Sequence, residues 1–224
     1  MAATLTASHL TAFNFAKAWG FVKTPSADEI LATLKDLQPV QGSSLVIGGL
    51  AVGYHGWERV TGDVDILYAH ADGLILQRLK KDFKIVLKAK NGWHHLEHRK
   101  TKVRLELIPE GGLATYGFIP GPKTVGGEGG FISLHGLAWL KLVSGRSQDI
   151  ADLVQLAKIR MDDMRAAKDR LPPELQPRFE EVLVQAQKEL DFDPHHNGDH
   201  GAPGVKESAP RYGKKAARKK IARA

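Results

Sequence analysis

Leu45-Val46-Ile47-Gly48-Gly49-Leu50-Ala51-Val52-Gly53-Tyr54-His55-Gly56-Trp57-Glu58-Arg59-Val60-Thr61-Gly62-Asp63-Val64-Asp65-Ile66 is the stretch that decides the fold. It reads as a short apolar strand ending in two glycines, then a short helix over 50–57, then an Asp-x-Asp at the head of a second strand. Side chains alternate along a strand, so Asp63 and Asp65 share one face and Val64 and Ile66 the other. Two neighbouring carboxylates repel unless a positive charge lies between them, and Mg²⁺ takes one or two such oxygens and leaves its other positions to water and phosphate. Gly48 and Gly49 let backbone approach a bulky ligand. The N–H groups and positive dipole end of the short helix would face the same spot.

Gly48-Gly49 followed by Arg59-x-Thr61-x-Asp63-x-Asp65 resembles the signature of the nucleotidyltransferase superfamily that includes DNA polymerase β, and particularly its AbiEii-type toxin relatives. The superfamily carries a third acidic residue on a neighbouring strand. In Val103-Arg104-Leu105-Glu106-Leu107-Ile108 the apolar residues make one face and Arg104 and Glu106 project opposite, which makes Glu106 the candidate. Leu140-Lys141-Leu142 and Arg146-Ser147-Gln148-Asp149-Ile150-Ala151-Asp152 resemble the Lys and the Arg-x-x-Asp-x-x-Asp pattern of the AbiEii helical region, so the resemblance spans 26–157.

The resemblance implies an α/β (α+β) fold, a small mixed sheet flanked by helices with a C-terminal helical part. It implies transfer of a nucleoside monophosphate from an NTP to an RNA, protein or small-molecule acceptor, as in a toxin of a toxin–antitoxin-like system with an antitoxin protein as partner. Asp63, Asp65 and Glu106 are then the catalytic residues and hold Mg²⁺ or Mn²⁺, while Gly48, Gly49, Arg59, Thr61 and Lys141 serve the nucleotide. The alternative is a catalytically degenerate protein of this fold that acts as a nucleotide- or RNA-binding module.

Each residue also has a plainer reading. Asp63 and Asp65 could be the solvated face of an edge strand, and Glu106 beside Arg104 a surface pair of little energy. Asp149 and Asp152 fall in the first turns of a helix, where the dipole favours carboxylates, and structural use outweighs metal binding there. Lys141 sits in an otherwise apolar helical run and either snorkels to water or stays buried facing phosphate. His94 and His98 share a strand face while His95 points away, which reads as polar surface. The glycines do not make a dinucleotide or P-loop pattern, and no serine elbow is present.

The chain has 224 residues, enough for one mixed domain with extensions, and no cysteine. Disulfides, thiol catalysis and zinc–thiolate sites are excluded, which fits a reducing cytoplasm. The N-terminal segment, 1–25, lacks the continuous apolar core of a secretory signal or membrane span and reads as an amphipathic helix around 10–21. From Val205 to Ala224, eight basic residues against Glu207 give +7, the formal net charge of the whole chain. Residues 193–224, rich in Gly and Pro, therefore read as a disordered basic tail able to bind RNA phosphates.

Between them lie a core over 26–130 and a helical part over 131–192. Ser26 and Glu29 have capping-box spacing for a helix to about Leu37. Strands are expected at 44–47, 63–68, 84–89, 93–99 and 103–108, with Asn91-Gly92 turning a hairpin. Helices are expected at 72–83, 133–145, 148–165 and 174–190, and a loop at 110–130.

Overall fold

The computed structural model describes residues 24–37, 40, 42–69 and 72–192. The expected N-terminal helix around 10–21 and the basic tail lie outside them.

Helix α1 (Ala27–Lys35) opens on the expected capping box: Glu29 N–H donates to Ser26 Oγ at 3.3 Å and Ser26 N–H to Glu29 Oε2 at 2.6 Å. Strand β1 (Ser44–Ile47) runs directly into α2 (Gly48–Tyr54), so the helix begins at the two glycines rather than after them. Strand β2 (Asp63–Tyr68) follows, then α3 (Ile75–Leu79), β3 (Phe83–Lys88), β4 (His94–His98) and β5 (Arg104–Pro109). The segment expected as a loop holds a small hairpin, β6 (Leu113–Ala114) and β7 (Gly117–Phe118), then α4 (Pro122–Val125) and β8 (Gly127–Glu128). Strand β9 (Phe131–Ile132) leads into α5 (Leu134–Ser144), α6 (Ser147–Ile159), α7 (Met161–Lys168) and α8 (Gln176–Phe192).

Seven strands form one mixed sheet in the order β3-β4-β5-β2-β1-β9-β8, flanked by helices. Strand β2 pairs parallel with β5 and antiparallel with β1. The alternation read from sequence sets the faces. Val64, Ile66, Leu96, Leu105 and Leu107 are buried in the core, while Asp63, Asp65 and Glu106 stand on the opposite face.

The helix expected at 72–83 is reduced to Ile75–Leu79, and two further expectations change. The single helix over 148–165 is two helices, broken at Arg160 (φ −137°, ψ 47°), and the turn lets α7 bury Met164 and Ala167. His94 and His98 are not polar surface: both are buried on the core face of β4, and His98 is 0% exposed. His98 Nε2 lies 3.0 Å from Asp36 Oδ2, and its Nδ1 is 2.6 Å from Thr101 Oγ1 and 3.3 Å from Thr33 Oγ1. These bonds tie the end of α1 to the β4–β5 turn and satisfy the ring that burial would otherwise penalise.

A surface histidine could be removed for less than about 0.5 kcal/mol, whereas one that satisfies buried partners cannot. His98→Ala is expected to lower unfolding free energy by about 2–3 kcal/mol in urea titration, with an unchanged slope.

Candidate active site

Strand register brings the acidic residues together. Asp65 on β2 is paired directly with Glu106 on β5, and Asp63 sits two residues along on the same face, opposite Arg104. Thr61 Oγ1 donates to Asp63 Oδ1 at 3.0 Å, and His95, the register partner of Glu106 on β4, places Nδ1 3.3 Å from Glu106 Oε1. Burial, then the charges of Asp63 and Glu106, push the Asp65 carboxyl up to about 7, against the pull of Arg146 and Lys141. Burial does most of this, and the two neighbouring carboxylates add to it.

Both glycines pack against side chains of the site. Gly48 has φ +63°, and a Cβ there would overlap the Asp65 carboxylate, which packs against it. Gly49 does not line the cavity. A Cβ on it would come within 2.8 Å of Thr61 Oγ1 and 3.0 Å of Arg59 Nη2, so its bare backbone seats those two side chains instead of a ligand.

A cavity of about 570 Å³ lies over this face, between the sheet and α5. Gly48, Arg59, Thr61, Asp63, Asp65, Glu106 and Lys141 all line it, so the structure gathers every sequence-selected site residue except Gly49. Trp93, Ile108, Ile119, Leu137 and Leu140 form an apolar wall, and the β6–β7 hairpin contributes Ala114 and Thr115.

Lys141 neither snorkels nor stands free. It is 4% exposed, and its Nζ donates to Asp149 Oδ1 at 2.9 Å and to Asp152 Oδ2 at 2.6 Å. Ser144 Oγ donates to Asp149 Oδ2 at 2.7 Å and Gln148 Nε2 to Asp152 Oδ1 at 3.1 Å, so both buried carboxylates are well satisfied. Arg59 Nε lies 3.2 Å from Asp152 Oδ2, buried and near enough for an ion pair but not aligned for a hydrogen bond. Asp149 and Asp152 thus tie α6 to α5, and Asp152 also meets the loop before β2 through Arg59, a stronger role than decoration of a helix N-terminus.

Arg146, named in the sequence only as part of the Arg-x-x-Asp-x-x-Asp pattern, lines the cavity although no site role was expected of it. Its Nε donates to Asp149 Oδ2 at 2.7 Å and its Nη2 to Asp149 Oδ1 at 3.3 Å, yet the side chain is 76% exposed and lines the cavity. The bond to Asp149, and beyond it the charges of Asp149, Asp65 and Glu106, hold it firmly in the charged form against its own burial. The signal was there in the spacing: Asp149 and Asp152, three apart on one helix, with Arg146 a further three before, line up on one side.

Among the described residues, no group of three or more His, Asp or Glu side chains is drawn close enough to hold a metal ion. Asp63 is turned to Thr61, Asp65 to Gly48 and Glu106 to His95.

No protein-family model matches the chain, and no curated protein does. Among solved structures it is similar to the solution structure of the antibiotic-resistance factor ANT(2'')-Ia, with 14% sequence identity and a TM-score of 0.44, over 76% of this chain and 98% of that one. No helix among the described residues is long and apolar enough to cross a membrane.

Removing one partner from a buried ion cluster strands the others. Lys141→Met is expected to cost about 3–5 kcal/mol in urea unfolding. Burial would raise the Asp149 carboxyl, but the hydrogen bonds from Arg146 and Lys141 win and hold it at about 2. Its folded value lies below the unfolded 3.8, so its contribution is complete above about pH 4 and disappears as pH falls toward about 2. Wild type should therefore lose stability over that interval, and Asp149→Asn should lose less across it.

Proposed function

We propose that this protein is a metal-dependent nucleotidyltransferase. An acceptor oxygen attacks the α-phosphorus of an NTP, the bond from that phosphorus to the β-phosphate oxygen breaks, and pyrophosphate leaves. One observation carries the reading: Asp63, Asp65 and Glu106 occupy one face of two paired strands at the wall of a single cavity. Around them Arg59, Lys141 and Arg146 oppose Asp149 and Asp152, a surplus of one positive charge against three carboxylates. With Asp65 ionised, as a bound cation would make it, the difference is two negative charges, the complement of one divalent cation.

The donor chemistry suits such an ion, since carboxylate oxygens are what Mg²⁺ and Mn²⁺ take, and the three side chains would have to turn from their present partners to share it. Asp63, Asp65 and Glu106 would hold it, and bound there it would stabilise charge that develops on the phosphoryl oxygens. The remaining chemistry belongs to side chains. Arg146 offers the guanidinium edge that Asp149 does not occupy to triphosphate oxygens. Lys141 acts mainly by fixing Asp149 and Asp152, with at most one donor left for the ligand. Glu106, beside His95, is the group suited to take the acceptor proton. The apolar wall excludes water and offers a flat surface to a base or an acceptor ring.

The resemblance to AbiEii-type toxins favours RNA, protein or a small molecule as acceptor, an antitoxin-like partner and a cytoplasmic setting. A second reading takes support from the separate tethering of the three carboxylates: a nucleotide- or RNA-binding module of this fold without turnover.

Incubation with each α-labelled NTP, Mg²⁺ or Mn²⁺, and RNA or protein extract distinguishes the two. Wild type is expected to transfer label, and Asp63→Asn and Asp65→Asn to lose at least about a hundredfold, equivalent to about 3 kcal/mol. Arg146→Ala should raise KM for NTP more than it lowers kcat if it contacts the phosphates in the ground state. Equal transfer by Asp63→Asn would remove the carboxylates from the mechanism. Mg²⁺-dependent NTP binding without transfer would select the binding module.

A further inference from the structure

Strand β3 ends the sheet, and among the described residues its one strand neighbour is β4. Its outer edge therefore leaves backbone N–H and C=O groups free of any ladder. Ile85, Val86 and Leu87 are all exposed there, Val86 to 62%. Three consecutive exposed apolar residues on a sheet edge are unusual in a surface meant only for water.

The polar surround has one sign. Lys80, Lys81, Lys84, Lys88 and Lys90 are exposed on and beside β3, with Asp82 the single acid between the first and last of them. Nearby Lys100 and Lys102 reach Asp36 and Glu97, whereas none of these five makes an ion pair among the described residues. The surface thus combines an open backbone edge, apolar side chains and unmatched positive charge.

We propose that this edge docks an extended acidic segment of a different protein, which adds as a strand beside β3. Its backbone would complete the ladder, its apolar residues would cover Ile85, Val86 and Leu87, and its Asp or Glu residues would meet the lysines. The same features disfavour a second copy of this chain. Two β3 edges would set lysines against lysines, and the extra residue between Ile85 and Leu87 bulges the strand away from a flat match. A nucleic acid would use the lysines but leave the apolar residues and the backbone edge uncovered.

The test uses the full chain, isotope-labelled for NMR, and three synthetic peptides of about ten residues that alternate Val with Glu, Thr or Lys. The Glu–Val peptide is expected to shift the β3 amides, slow their hydrogen exchange, and bind about tenfold more tightly than the Lys–Val peptide at roughly 0.05 M salt. That preference should narrow at roughly 1 M salt and reverse in the triple variant Lys81→Glu, Lys88→Glu, Lys90→Glu. All three sites are exposed, and Lys84 is left in place opposite Glu97. Absence of shifts along β3, or equal binding of the three peptides, would overturn the proposal. So would concentration-dependent self-association through β3, or displacement of the Glu–Val peptide by single-stranded RNA at lower concentration.

Discussion

A single buried ammonium organises the cavity-facing half of this protein. Lys141 holds Asp149 and Asp152, and through them fixes α6 against α5. Asp149 in turn orients Arg146, and Asp152 lies against Arg59 on the loop that leads into β2. Without its two carboxylates, Lys141 would be an isolated charge in an apolar helix, a position that costs several kcal/mol per ion. The pairing turns that cost into direction: the exposed guanidinium of Arg146 is held over the sheet instead of wandering in solvent. The side chain with least freedom thereby sets the position of one with most.

The sheet poses the opposite electrostatic problem. Asp65 and Glu106 are direct cross-strand neighbours of like charge, an arrangement that destabilises a sheet unless something offsets it. Part of the offset is local, from Thr61 to Asp63 and from His95 to Glu106. Asp65 receives no comparable bond, and its carboxyl is the one driven to about 7. Burial at the cavity wall, more than its two acidic neighbours, puts it there.

Much of this could be read from residue order, because it depends on short-range periodicity. Strand alternation fixes the common face of Asp63 and Asp65, the Ser26–Glu29 box starts α1, and the apolar face of 103–108 turns Glu106 toward the same side. What could not be read depends on contacts between elements. Histidines at 94 and 98 follow the alternation of a surface strand as well as that of a buried one, and for His98 the contacts with Asp36, Thr33 and Thr101 make burial tolerable. The break at Arg160 has no glycine or proline to announce it, because the turn there is driven by burial of Met164 and Ala167. The pattern named Arg146, but its place at the cavity follows only from the packing of α6.

The glycine pair shows what absent side chains do for the site's own residues. Gly48 and Gly49 stand where the chain passes from strand to helix, and absent side chains at such a place suggest room for a ligand. Here the room is already taken, by the Asp65 carboxylate at Gly48 and by Thr61 and Arg59 at Gly49. The vacant volume lets β2 and its approach loop press their polar groups against the start of α2, so those groups reach the cavity edge without being pushed apart. A methyl group at Gly48 would meet two penalties, since φ +63° is unfavourable for any residue with a Cβ and the carboxylate would have to move. The carboxylate it displaced is the one already most crowded by Asp63 and Glu106. Backbone economy at Gly48 and charge crowding at Asp65 are therefore one constraint expressed on two elements.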